Sequence, residues 1–66
     1  MLKDLIKQLR KEKHYTLKKL SDITGISTVQ LKNIEDGKNK PSGVTLYKLS
    51  QALDYDYDIL FELSKE

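Results

Sequence analysis

Cysteine is absent from this chain, so neither a disulfide nor a thiolate-bound metal is available and packing alone must hold the fold. A single histidine, His14, stands without a second His or a Cys near it. It reads as a solvated connecting residue, and no metal site is expected. No apolar run is long enough to cross a bilayer, and no signal-peptide pattern opens the chain; a cytoplasmic protein is expected. Repeats, low-complexity tracts and interdomain linkers are missing as well. So are a nucleophile–base pair, a carboxylate dyad and a phosphate-cradling glycine loop. The chain is therefore not expected to be an enzyme, and nothing in it calls for a cofactor or a small-molecule ligand.

What is present fits one small domain, residues 1–66. Hydrophobic residues make up 38% of the chain and charged residues 33%, which suits a helical bundle with a well-solvated surface and a small core. The charge is unevenly placed. Residues 1–40 carry ten Lys/Arg against five Asp/Glu, net +5, whereas residues 41–66 carry two Lys against five Asp/Glu, net −3. A basic front and an acidic back suit a protein that turns one side toward a polyanion, although ordinary scatter of surface charge gives the same numbers.

Leu2, Leu5, Ile6 and Leu9 fall at the spacing of one helical face, which predicts a first helix from about Leu2 to Lys13. Arg10 lies at the edge of that face. Thr16 is a candidate N-cap for a second helix over residues 17–24, with Leu17, Leu20 and Ile23 on one side. Gly25 stands where that helix must stop, in a backbone conformation that favours glycine. Ser27 then opens a third helix, about 28–36, anchored by Leu31 and Ile34 and closed by Gly37. Ser27 followed by Gln30 has the spacing of a reciprocal capping box. Two helices joined by so short a turn, Gly25-Ile26-Ser27, meet at a steep angle, which makes a helix-turn-helix unit.

Lys38-Asn39-Lys40-Pro41-Ser42 reads as a polar loop, with Ser42 as the cap of a fourth helix. Its face is Leu46, Leu49 and Leu53, with Val44, Tyr47 and Ala52 at the margins. Asp54 or Tyr55 ends it, since Asp tolerates left-handed backbone. Asp56 caps a fifth helix carrying Leu60, Phe61 and Leu63. The predicted fold is all-α, a bundle of five short helices without strands.

Leu9-Arg10, Leu20, Gly25-Ile26-Ser27, Ile34-Glu35-Asp36-Gly37, Pro41-Ser42, Leu46, Leu49, Ala52-Leu53 and Leu60 occur in an order that resembles the phage Cro/repressor-type (XRE-like) helix-turn-helix regulators. The resemblance covers nearly the whole chain and implies a lambda-repressor-like DNA-binding domain, a double-stranded DNA operator and a role in transcription regulation, as a repressor. It also implies a structural ion pair between Arg10 and Glu35. The residues agree, since each flanks an apolar stripe, but two solvated charges remain the plainer alternative. Three positions depart from the family pattern. Leu17 stands where a phosphate-binding Gln is common, leaving only its backbone amide for that contact. Ser21 replaces a small Ala, and Asp54 replaces the glycine after helix 4.

Turning each residue of helix 3 by about 100°, with Leu31 and Ile34 inward, points Val29, Lys32, Asn33 and Asp36 outward and puts Thr28 and Gln30 on the flanks. Val29 suits a thymine methyl, Gln30 and Asn33 suit adenine, and Lys32 suits guanine or a phosphate. An exposed valine needs no such explanation on its own. Lys38, Asn39 and Lys40 follow where the sugar-phosphate backbone should run and would position the protein without selecting sequence. Asp36 faces the same way and either sits over the groove or turns aside.

Useful specificity normally needs two copies, with recognition helices about 34 Å apart. Tyr55, Tyr57, Ile59, Phe61 and Leu63 are candidates for a homodimer interface, or else helix 5 merely closes the core. Two other functions fit the same residues. One is an antitoxin-like regulator whose acidic, tyrosine-rich C-terminal segment grips a protein. The other is a protein-interaction module without a DNA role.

Overall fold

The computed structural model describes residues 1–66 as five helices and no strand: α1 Leu2–Glu12, α2 Leu17–Thr24, α3 Thr28–Glu35, α4 Gly43–Leu53 and α5 Tyr57–Ser64. The bundle measures 27 × 23 × 19 Å. Helix α1 packs on α3, α4 and α5, while α2 packs on α3 and α4, and α4 on α5.

Each of the last four helices begins in the same way. Thr16, Ser27, Ser42 and Asp56 sit at the N-caps in extended backbone, and their side-chain oxygens accept amide bonds from Lys19, Gln30, Thr45 and Ile59. Such a cap satisfies one of the orphan donors of the first turn, for about 1 kcal/mol each. Four residues after each cap comes a leucine: Leu20, Leu31, Leu46 and Leu60, all fully buried. The residue before each cap, Tyr15, Ile26, Pro41 or Tyr55, is buried or half-buried. Cap, preceding apolar residue and following leucine together set the angle at which each helix enters the core.

Three helices end alike. After α1, α3 and α4 the chain turns through left-handed backbone at His14 (φ 59°), Gly37 (φ 77°) and Asp54 (φ 53°). The next amide reaches back to the last turn: Tyr15 to the Arg10 carbonyl at 3.1 Å, Lys38 to Asn33 at 2.9 Å and Tyr55 to Ser50 at 3.0 Å. This is the Schellman termination, and glycine occupies the turning position only once. At Asp54 the carboxylate also meets Lys13 at 2.8 Å, tying the end of α4 to the end of α1. That hydrogen bond raises the Lys13 pKa from the ordinary lysine value.

Ile6, Leu20, Ile26, Leu31, Ile34, Leu49 and Leu53 form the core cluster, with Leu2, Leu9, Tyr15, Leu17 and Ala52 packed against it. Several expectations need correction. Helix α1 stops at Glu12 and α3 at Glu35, each a residue early, because Lys13 and Asp36 already serve as caps. Ile23 does not join Leu17 and Leu20; it is 45% exposed, beside a shallow cleft shared with Tyr47 and Ala52. Steps of three residues drift around the helix, so Ile23 lies about 120° from Leu17, whereas half-buried Thr24, seven residues on, shares the inner side and donates its hydroxyl to the Leu20 carbonyl at 2.8 Å. Val44, Tyr47 and Phe61 are exposed as well, because nothing lies over the outer side of α4 and α5.

Candidate nucleic-acid interface

The turn between α2 and α3 is held by its own atoms. The Gly25 amide bonds to the Ser21 carbonyl at 2.8 Å, and the Ile26 amide to the Thr24 hydroxyl at 3.2 Å. Gly25 has φ 77°, and a Cβ placed on it would meet nothing within 4 Å. Glycine is needed there for the backbone angle, not for space. Ile26 drops into the core from the middle of this turn, so the turn is anchored as well as bent.

An eight-residue helix is not stable alone in water, so α3 exists because its inner side is bound. Leu31 and Ile34 supply that binding, at about 1.5–3 kcal/mol for each side chain fully buried. What remains of the helix faces out. Ser27, Thr28, Val29, Gln30 and Lys32 are exposed, Val29 by 69%, and Asn33 is half-buried. The Asn33 carbonyl closes the helix by accepting from Lys38 and Asn39, while no intramolecular hydrogen bond engages its carboxamide. The reciprocal half of the capping box is not made: Gln30 donates its backbone amide to Ser27 at 3.1 Å, but its side chain stays free. Asp36 turns toward Lys32, 3.4 Å away and one turn earlier on the same helix.

Beyond α3 the loop presents exposed Lys38, Asn39 and Lys40, and neither lysine has a carboxylate within 4.0 Å. Leu17, at the first turn of α2, is half-buried, and its side chain packs against the core.

Behind this face, Arg10 and Glu35 form a two-pronged pair. Arg10 Nε donates to Glu35 Oε2 at 2.7 Å and Nη2 to Oε1 at 3.0 Å, with side chains 12% and 3% exposed. Nη1 donates to the Tyr15 carbonyl at 2.7 Å, so one guanidinium ties α1 to the end of α3 and to the α1–α2 connection. The hydrogen bond to Glu35 raises the Arg10 pKa, against the opposing effect of burial. Glu35 is the last residue of α3; the pair therefore fixes the far end of the helix that carries the exposed polar face.

Sequence reasoning missed two contributors here. The Tyr15 carbonyl cannot be foreseen as an acceptor without knowing how the chain leaves α1. The burial of Ile26 had a signal, since an apolar residue immediately before a cap with a leucine five places on marks a staple.

A bent helix pair, its second member anchored on one side and bare and polar on the other, defines the helix-turn-helix class. The chain matches the helix-turn-helix family HTH_3 over residues 6–60 and belongs to that family. It is 32% identical over 56 residues to the HTH-type transcriptional regulator SutR of Escherichia coli K12, and 36% identical over 56 residues to the ImmF control region 10 kDa protein of Bacillus phage phi105. Each alignment takes in 85% of this chain, which spans 32% of SutR and 62% of the phage protein. An HTH_3 family transcriptional regulator from Vibrio cholerae superposes with TM-score 0.81 at 29% identity, over 94% of this chain and 35% of its own. A chain of the SinR protein/SinI protein complex superposes with TM-score 0.85 at 36% identity, over 94% and 61%.

Proposed function

We propose that residues 1–66 are the sequence-specific double-stranded-DNA-binding domain of a transcriptional regulator, acting as a repressor in the cytoplasm and reading the major groove with α3. One observation carries this reading. The start of α3 leaves Thr28, Val29 and Gln30 exposed, followed by Lys32 and the free carboxamide of Asn33, while Leu31 and Ile34 hold the helix from behind. A major groove admits a helix presented in this way, and amide side chains, a lysine and a methyl-bearing residue match its donor, acceptor and methyl pattern. The unpaired lysines Lys38 and Lys40, with Asn39 between them, take the phosphates that flank the groove, and the Leu17 amide supplies a backbone donor at the start of α2. The names of SutR and of the Vibrio cholerae protein, both transcriptional regulators, support the same role.

The operator is bound by a homodimer, one copy per half-site. Its interface lies on α5 and the connection before it, where Ile59 and Phe61 are exposed and Tyr55, Tyr57 and Leu63 are half-buried. Selection from a random duplex pool at physiological salt tests all of this together. The expected result is an enriched motif present twice, its halves about 34 Å apart. A pool that stays random sinks the reading.

A second reading, a protein partner as the main target, is favoured by the aromatic side of α4 and α5. Tyr57 stacks on Phe61 at 5.8 Å and meets the edge of Tyr47 at 6.4 Å, with Val44 and Ile59 also exposed. Exposed apolar groups gathered in this way mark interaction surfaces. Co-purification of a small basic protein, together with no salt-dependent duplex binding, would favour that reading over the first.

A further inference from the structure

Lys3 belongs to α1, outside the helix-turn-helix unit, yet its side chain lies against the residue that turns the chain out of α3. A Cβ built on Gly37 would stand 2.7 Å from Lys3 Cδ and 3.4 Å from Cε. Gly37 is required for its φ of 77°, which ends α3, and the lysine stem lies directly against its bare Cα. Lys3, Gly37, Asn39 and Lys40 line one cleft of about 160 Å³, between the start of α1 and the loop after α3. The one carboxylate lining this cleft, Glu66, pairs with neither lysine. The only ion pair of the Lys3 ammonium is with its neighbour Asp4, at 3.7 Å, both side chains well exposed. Such a pair is worth about 0–1 kcal/mol, so it competes poorly with a duplex phosphate for the same ammonium.

We propose that Lys3 is a DNA-phosphate contact, its stem lying across Gly37 so that α1 adds a lysine beside the α3–α4 loop. Lys3 and Lys40, which line the same cleft, both hold the phosphate backbone there, extending the contacts past the helix-turn-helix unit. The inference rests on the duplex-binding reading and adds to it one residue from a separate helix. The contact is insensitive to sequence, since phosphates carry no base identity.

The test measures affinity against salt concentration for the 66-residue chain on the duplex that the selection returns. Wild type is compared with Lys3→Met, Lys3→Arg, Lys40→Ala and Lys48→Met; Lys48 lies on α4 beside Tyr47 and removes the same charge elsewhere. Loss of one phosphate contact lowers the slope of log K on log salt by about 0.9. Lys3→Met is expected to show that loss, with every sequence weakened by the same factor and the melting temperature unchanged. Lys3→Arg is expected to keep the wild-type slope, and Lys48→Met to leave it alone. A normal slope for Lys3→Met beside a lowered one for Lys40→Ala overturns the inference and leaves the duplex reading intact. An equal drop for Lys3→Met and Lys48→Met also overturns it, as an effect of net charge. No salt-dependent binding by the wild type overturns both.

Discussion

Arg10 and Glu35, 25 positions apart, meet through two parallel hydrogen bonds of 2.7 and 3.0 Å, so the end of α3 is pinned to α1 by an ion pair whose carboxylate is buried. With Leu31 and Ile34 holding its middle, the short helix is fixed along its length, and its start is free to meet a ligand.

Removing one member of that pair leaves the other charge buried without a partner. Arg10→Met is expected to cost about 3–5 kcal/mol in urea denaturation, and the double variant Arg10→Met, Glu35→Leu to recover most of that. The Arg10 pKa is raised by Glu35, so its stabilising effect is complete below the ordinary arginine value and is lost only as pH climbs through the higher folded value. Ionisation of Arg10 therefore adds no pH dependence to stability across the neutral and mildly alkaline range. A loss under about 1 kcal/mol for Arg10→Met would mark the pair as solvent-screened.

Leu31→Ala removes the main anchor of α3. The expected cost is about 2–5 kcal/mol, measured by denaturation. A loss below that range would show that other contacts hold the helix.

His14→Gly is expected to stabilise. His14 sits at φ 59° in the turn that ends α1, exposed, with no side-chain hydrogen bond. Left-handed backbone costs a residue with a Cβ about 1 kcal/mol that glycine does not incur. Thermal denaturation should show a higher midpoint; a lower one would mean that the imidazole makes a contact of greater worth.

Asn33→Ala and Lys40→Ala separate reading from holding. The first is expected to weaken binding at one base position by about 1–3 kcal/mol and to leave non-specific affinity unchanged. The second is expected to weaken all sequences alike and to flatten the salt dependence by about one unit of slope. Uniform loss for Asn33→Ala would remove it from the reading residues.

Most of this architecture is legible in the sequence because it is written in local chemistry. Thr16, Ser27, Ser42 and Asp56 announce helix starts through their side-chain oxygens, and Leu31 and Ile34 announce the buried side of α3 by their spacing. The resemblance to Cro/repressor-type regulators supplied the partnership of Arg10 with Glu35, which spacing alone does not pair. What escaped depends on the path of the chain between helices. Ile26 is buried from within a turn, where helical periodicity says nothing, and the left-handed turn at His14 carries no glycine to signal it. Ile23 shows the reverse failure: successive steps of three residues drift it about 120° around α2 from Leu17, so the apolar spacing carries it off the buried side.

The claim that the outward side of α3 enters the groove is tested most directly by amide NMR of the 66-residue chain, titrated at physiological salt with the selected duplex. The largest shifts are predicted in residues 27–33 and 38–40. Shifts confined to Tyr47, Tyr57 and Phe61, or none at all, would contradict the account.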